Sequence, residues 1–163
     1  MERVEKNIST HEFFPVVKEM LAEGHAVVFK ITGSSMLPFL GGKRDSVRLA
    51  SCDVHHLKPG DLILFQRALP AGDYVLHRVH KVYEDSYLPM GDGNLVTDAV
   101  IKPEQVIGKV TEVERKGKWI SCDSFGWRFC TALWRGLTPI RPWLLTGYRG
   151  FAKIKSICCL KGQ

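Results

Sequence analysis

Ala26-Val27-Val28-Phe29-Lys30-Ile31-Thr32-Gly33-Ser34-Ser35-Met36-Leu37-Pro38-Phe39-Leu40 reads as a strand that runs straight into a turn. Val27, Phe29 and Ile31 alternate with Val28 and Lys30, the period of a half-buried strand. Thr32 to Ser35 are all small, and Gly41-Gly42-Lys43-Arg44-Asp45 follows as a loop. A turn of small residues just past a strand presents a serine hydroxyl at the surface. The small residues before it let backbone amides come close to a substrate carbonyl. A structural turn without chemistry has the same local appearance, so the rest of the chain has to decide.

Working outward, short strands and turns dominate. Val47 and Leu49 flank Arg48. Pro59-Gly60-Asp61 is a turn before Leu62-Ile63-Leu64-Phe65, and Pro70-Ala71-Gly72-Asp73 is another before Tyr74 to Tyr83. Period two in that last run puts Val75, His77 and Val79 on one face and Leu76, Arg78, His80 and Val82 on the other. Tyr87 to Met90 leads into the tight polar turn Gly91-Asp92-Gly93-Asn94. Val106 to Val113 and Trp119 to Cys122 are further strands around a turn over Glu114 to Lys118. Toward the N-terminus, Ser9 and Glu12 have capping-box spacing. Phe13, Val17, Met20 and Leu21 recur at helical spacing, Pro15 disturbs the first turns, and Gly24 ends the helix. The fold class expected is mainly β, a β-rich α+β domain. A helix over residues 1–24 packs on its core, the β domain spans 25–122, and a basic extension runs over 123–163. In that extension Phe125 to Trp134 forms a helix. Pro139 and Pro142 interrupt it, and Leu144 to Cys159 forms a second, amphipathic one.

Composition narrows the class. At 163 residues with 45% apolar content the chain makes one ordinary globular domain. It has no apolar run of about 18 residues for a membrane span and no apolar core behind Met1 to Asn7 for a secretory leader. Five cysteines, Cys52, Cys122, Cys130, Cys158 and Cys159, show no Cys-x-x-Cys spacing. Reduced thiols in a cytoplasm are expected, with no disulfide framework and no metal site. His55-His56 has no ligand at metal spacing, and no cofactor loop is present. The net charge of +6 is uneven: from Arg115 onward there are ten Lys/Arg and one acid, Asp123, together with all four tryptophans. The split points to a tail with its own partner, either an anionic membrane surface on the inner face or, with no motif behind it, nucleic acid; the alternative is that the tryptophans pack on the β domain and the bases form a solvated face.

A serine nucleophile needs a base. Gly33-Ser34-Ser35-Met36-Leu37-Pro38 resembles the Gly-x-Ser-Met-x-Pro box of signal peptidase I and of the self-cleaving SOS-type repressors, which makes Ser35 the nucleophile. Many members of that superfamily use a lysine on a following strand. The strand here reads Tyr74-Val75-Leu76-His77-Arg78-Val79, similar to the archaeal and endoplasmic-reticulum signal peptidases in which a histidine replaces it. An unperturbed histidine titrates near neutrality, which suits a base. In that branch a Gly-Asp-x-Asn turn is followed by the acid of the site. The resemblance assigns the role to Asp98, with Asp92 in the best-matched part of the turn as the competitor. Gly33, Ser34, Met36 and Pro38 are the expected oxyanion and substrate-binding positions. Gly33 stands where signal peptidases often carry a hydroxyl, as it does in the repressors.

The resemblance covers about residues 26–113. It implies a stand-alone prokaryotic serine peptidase with a peptide or protein substrate, acting on a leader or signal-like segment, without a membrane anchor. A module that keeps the fold for binding or assembly without turnover is the alternative.

Overall fold

A computed structural model describes residues 10–68, 73–143 and 145–147. Seven antiparallel strands and a few helices make it a β-rich α+β fold. Helix α1 (Thr10–Ala22) is followed by β1 (Val27–Lys30), β2 (Asp45–Ala50), β3 (Leu62–Gln66), β4 (Tyr74–Val82), β5 (Tyr87–Met90), β6 (Val106–Arg115), β7 (Lys118–Ser121) and helix α2 (Phe125–Gly136). The strands order as β1-β2-β6-β3-β4-β5, with β7 added to β6. The ten-residue β6 is the spine. One edge pairs with β2, while the other takes β3 along its first half and β7 along its second. Pro89 lies in β5 at the sheet edge, where a residue without an N–H breaks no ladder.

Alternation along the strands divides the apolar residues between two clusters. Val47, Leu49, Leu62, Leu64, Val110 and Val113 join Phe14, Val17 and Leu21 of α1, together with Met36 and Leu40. Ile63, Phe65, Val79, Tyr87, Ile101 and Val106 form the second cluster. Each of the three α1 side chains contributes roughly 1.5–3 kcal/mol of burial, enough to hold a helix with Pro15 inside it. The buried stripe of α1 is Phe14, Val17 and Leu21; Met20, expected inward, is exposed. The helix ends as expected at Gly24, which has φ +84°. His25 N–H bonds Met20 C=O and Gly24 N–H bonds Leu21 C=O, the paired closure of a left-handed C-terminal cap.

Three expectations meet the limits of the described residues. Ser9 and the Glu12 side chain of the capping box lie outside them, as does most of the Pro70 turn. Residues 141–143 and 145–147 are helical, so the last helical segment begins ahead of Leu144. Pro142 is accommodated because a first helical turn needs no N–H from it. The remainder of that segment, with Cys158 and Cys159, lies outside the described residues.

Candidate active site

The strand β4 carries the centre of the site because adjacent side chains on it face opposite ways. His77 is 3% exposed, tilted against the Phe65 ring on the face of the second cluster. Its Nε2 is 2.9 Å from Ser35 Oγ and its Nδ1 is 2.5 Å from Asp98 Oδ2. Three residues separated by 42 and 21 positions thus meet around one imidazole. Asp98 also accepts from Arg67 Nη2 at 2.6 Å. Burial pushes the Asp98 carboxyl up, but hydrogen bonds and charge from His77 and Arg67 outweigh it and hold the group below the ordinary carboxylate range. An ionised carboxylate only accepts, so Nδ1 carries the proton and donates to Asp98. In the neutral ring Nε2 is then the acceptor, and the Ser35 hydroxyl donates to it.

The Ser35 turn is held from two sides. On one side, Gly93 N–H donates to Ser35 C=O at 2.7 Å. A Cβ on Gly91 would stand 2.6 Å from that same carbonyl oxygen, so only glycine allows the two backbones this close. On the other side, Gly42 N–H bonds Gly33 C=O at 2.8 Å. Behind the following loop lies Asp45, fully buried. It accepts from Gly41 N–H at 2.9 Å, from Arg44 Nη2 at 2.7 Å and from Arg115 Nε at 3.0 Å. Arg115 also donates to Phe39 C=O. Burial raises the Asp45 carboxyl, yet Arg44, Arg115 and the Gly41 amide together bring it below its usual value.

Asp92, the competing acid, has a different neighbour. It takes Arg78 in a fork, Nε to Oδ1 at 3.0 Å and Nη2 to Oδ2 at 2.8 Å, with both side chains 2% exposed. Arg78 Nη1 spans further to Gly60 C=O at 2.8 Å. Because Arg78 and His77 leave opposite faces of β4, the Asp92 carboxylate is spent on the structural pair and does not serve the imidazole. The Met36 side chain is buried in the first cluster. Its backbone remains beside Ser35, and the N–H groups of Ser35 and Met36 have no acceptor among the described residues. Gly33 and Ser34 are exposed, and Pro38 is half-buried behind a cis Leu37–Pro38 bond.

Lys109 is paired to Asp61 at 3.0 Å, and Lys81 is exposed beyond the bulge in β4. His80 faces away from Ser35; burial, then Arg141 and Arg135, push its pKa down. Among the described residues no group of three or more His, Cys, Asp or Glu side chains has the arrangement of a metal site. A cavity of about 490 Å³ lies under α2, lined by residues that include Asp61, Lys109 and Phe129, and none of Ser35, His77 and Asp98 borders it.

Helix α2 and the segment after it lock the Gly91–Asn94 turn from outside. Trp134 Nε1–H donates to Asp92 C=O at 2.9 Å. Trp127 and Trp134 meet the Phe39 ring edge-on at 5.9 and 6.1 Å. Arg141, buried and stacked on Trp134, reaches Asn94 C=O at 3.5 Å. Sequence reasoning assigned none of Arg67, Asp45 and Arg141 to the site. Each has at least one partner distant in the chain, Asp98 for Arg67, Arg115 for Asp45 and Asn94 for Arg141, and no spacing announces those contacts. No protein-family model and no curated protein sequence matches the chain.

Proposed function

We propose that this chain is a serine endopeptidase with the folded-sheet architecture of the signal peptidase and repressor-protease superfamily, working through an acyl-enzyme on Ser35. The observation that carries the reading is the imidazole of His77, with Ser35 Oγ at 2.9 Å on one nitrogen and Asp98 Oδ2 at 2.5 Å on the other. A serine, a base within reach of its proton and an acid that fixes the tautomer of the base are the parts that acyl transfer needs.

In the first step Ser35 Oγ attacks the scissile carbonyl carbon while His77 Nε2 takes the hydroxyl proton. Asp98 stabilises the imidazolium that forms. The Ser35 backbone N–H, free among the described residues, is the oxyanion donor nearest to the reacting hydroxyl. Collapse of the tetrahedral intermediate breaks the C–N bond, and Nε2 returns the proton to the leaving amine. Water, deprotonated by the same nitrogen, then cleaves the ester and restores Ser35. By the superfamily resemblance the substrate is a leader or signal-like peptide with small residues before the cut.

The test is cleavage of a peptide library by the full chain. Activity is expected to fall on acidification as the base accepts a proton, whereas a lysine base gives activity only at alkaline pH, above about 8–9. His77→Ala is expected to abolish cleavage and His80→Ala to leave it within a few-fold. An alkaline-only profile, or equal loss in the two variants, contradicts the assignment.

A further inference from the structure

Helix α2 is amphipathic in an unusual sense. Trp127, Thr131, Trp134 and Arg135 face the domain. The opposite side is apolar too: Phe125, Phe129 and Leu133, at i, i+4 and i+8, are 85%, 59% and 56% exposed. The Phe125 and Phe129 rings stack 6.1 Å apart, so they form a continuous ridge. A helix that uses one face for its own domain ordinarily turns charged residues outward. Here the outward face has no charged residue of its own; Arg128 at its flank pairs with Asp123, just ahead of the helix, at 3.3 Å. From Ser124 to Gln163 the chain has seven Lys/Arg and no Asp or Glu.

We propose that this ridge docks the protein onto the surface of an anionic lipid bilayer, with Phe125, Phe129 and Leu133 entering the boundary between headgroups and acyl chains. Charge selects this occupant. The ridge needs an apolar phase and the basic sequence from Ser124 onward needs anions, and a leaflet with anionic lipid supplies both. An acidic nucleic acid offers the charge without the apolar phase, and a second copy of the chain brings a second excess of positive charge to the contact. The contact is narrower than the tryptophan content of the region implies. Trp127 and Trp134 are engaged with Phe39 and Asp92, so they do not reach a bilayer. Among the described residues no helix is long and apolar enough to cross a membrane, so the docking is parallel to the surface.

The proposal is tested by sedimenting the full chain with vesicles. Phosphatidylcholine vesicles containing phosphatidylglycerol are expected to carry the protein down at low salt, with binding that weakens as salt screens the attraction. Pure phosphatidylcholine vesicles are expected to bind it at least about ten-fold less well. Phe125→Ser/Phe129→Ser is expected to lower partition into the anionic vesicles at least about ten-fold. Phe125→Leu/Phe129→Leu, which keeps the ridge apolar, retains most of it. Circular dichroism checks that the variants fold. Failure of the unmutated chain to sediment with anionic vesicles at low salt overturns the proposal without any variant. So does equal binding by the serine double variant, or concentration-dependent dimerisation without lipid that the double variant abolishes. None of these readouts depends on peptidase activity.

Discussion

His77 and Arg78 are neighbours on β4, and each takes an aspartate from the stretch after β5. The pairs share a pattern: a buried cation-forming side chain against a buried carboxylate. They differ in what lies at the far end. Arg78 and Asp92 close on each other in a two-pronged fork, capped by Gly60 C=O and by the rings of Phe39 and Trp127. Every polar atom is answered, and no reactive group is in reach. His77 and Asp98 make one short bond, and the imidazole turns its second nitrogen to a hydroxyl. A buried ion pair by itself therefore says nothing about chemistry. A buried acid–base pair with a nucleophile on its open nitrogen does. One strand's alternation serves both ends, because it sends the fixing pair to one face and the reacting pair to the other.

The largest expected effect separates the pairs by activity. Asp98→Asn is expected to lower turnover about 10⁴-fold, because an amide no longer fixes the tautomer of His77. Peptide cleavage rates check this. The same variant is also expected to lose some melting temperature, because the ionised Asp98 carboxylate stabilises the fold. If Asp92→Asn inactivates while Asp98→Asn is harmless, the two aspartates have been assigned to the wrong tasks.

Next comes stability. Asp92→Ala leaves Arg78 buried and unpaired, which is expected to cost about 3–5 kcal/mol in chemical denaturation. Loss below about 1 kcal/mol would mean that the Arg78 fork does not hold the Gly91–Asn94 turn.

Arg67 sharpens the comparison, since it gives the reacting pair a second cation. Arg67→Gln is expected to reduce kcat about ten-fold while KM changes little, the sign of a residue that positions Asp98 and does not touch substrate. Its pH signature has a defined sign. The Asp98 carboxyl is held low in the folded protein. Its stabilisation is therefore complete above the unfolded carboxylate range and disappears as pH falls through the folded value. Without Arg67 the folded value rises, so the acid limb of a thermal-stability profile is expected to move to higher pH. An unmoved limb contradicts the positioning role.

The smallest effect is at Gly33. No atom lies within 4 Å of where its Cβ would stand, so Gly33→Ser is expected to change stability by less than about 0.5 kcal/mol. Turnover is expected to shift by less than about ten-fold, upward if the hydroxyl joins the Ser35 amide at the oxyanion. A loss of more than about 100-fold would mean that the substrate passes directly over Gly33.

How much of this is legible in the sequence depends on the range of the interactions. Strands show in the sequence because alternation is local. Val75, His77 and Val79 separate from Leu76, Arg78 and His80 without any structure, and that separation already distinguishes the two histidines. The cap at Gly24 is local as well. Met20 is misplaced by periodicity because Phe13 and Phe14 are adjacent, and the helix buries the stripe that begins at Phe14. The Asp45 cluster is invisible. Asp45 follows Arg44 in what reads as a solvated loop, and its other partner, Arg115, stands 70 residues away. Arg67 has the same character: one base among 23, selected only by a carboxylate 31 residues on. The tryptophans read as a set from composition alone. Their different fates, Trp134 bonded to the turn and Trp143 exposed, are decided by the docking of α2.

The central claim, that Ser35 is an activated nucleophile, is tested most directly by the mass of the intact protein after exposure to a serine-reactive phosphonylating probe. One adduct is predicted, mapped to the peptide that contains Ser35. It should be absent in Ser35→Ala and strongly slowed in His77→Ala, with circular dichroism unchanged in both. No adduct on the unmutated chain, or equal labelling of Ser35→Ala, would contradict it.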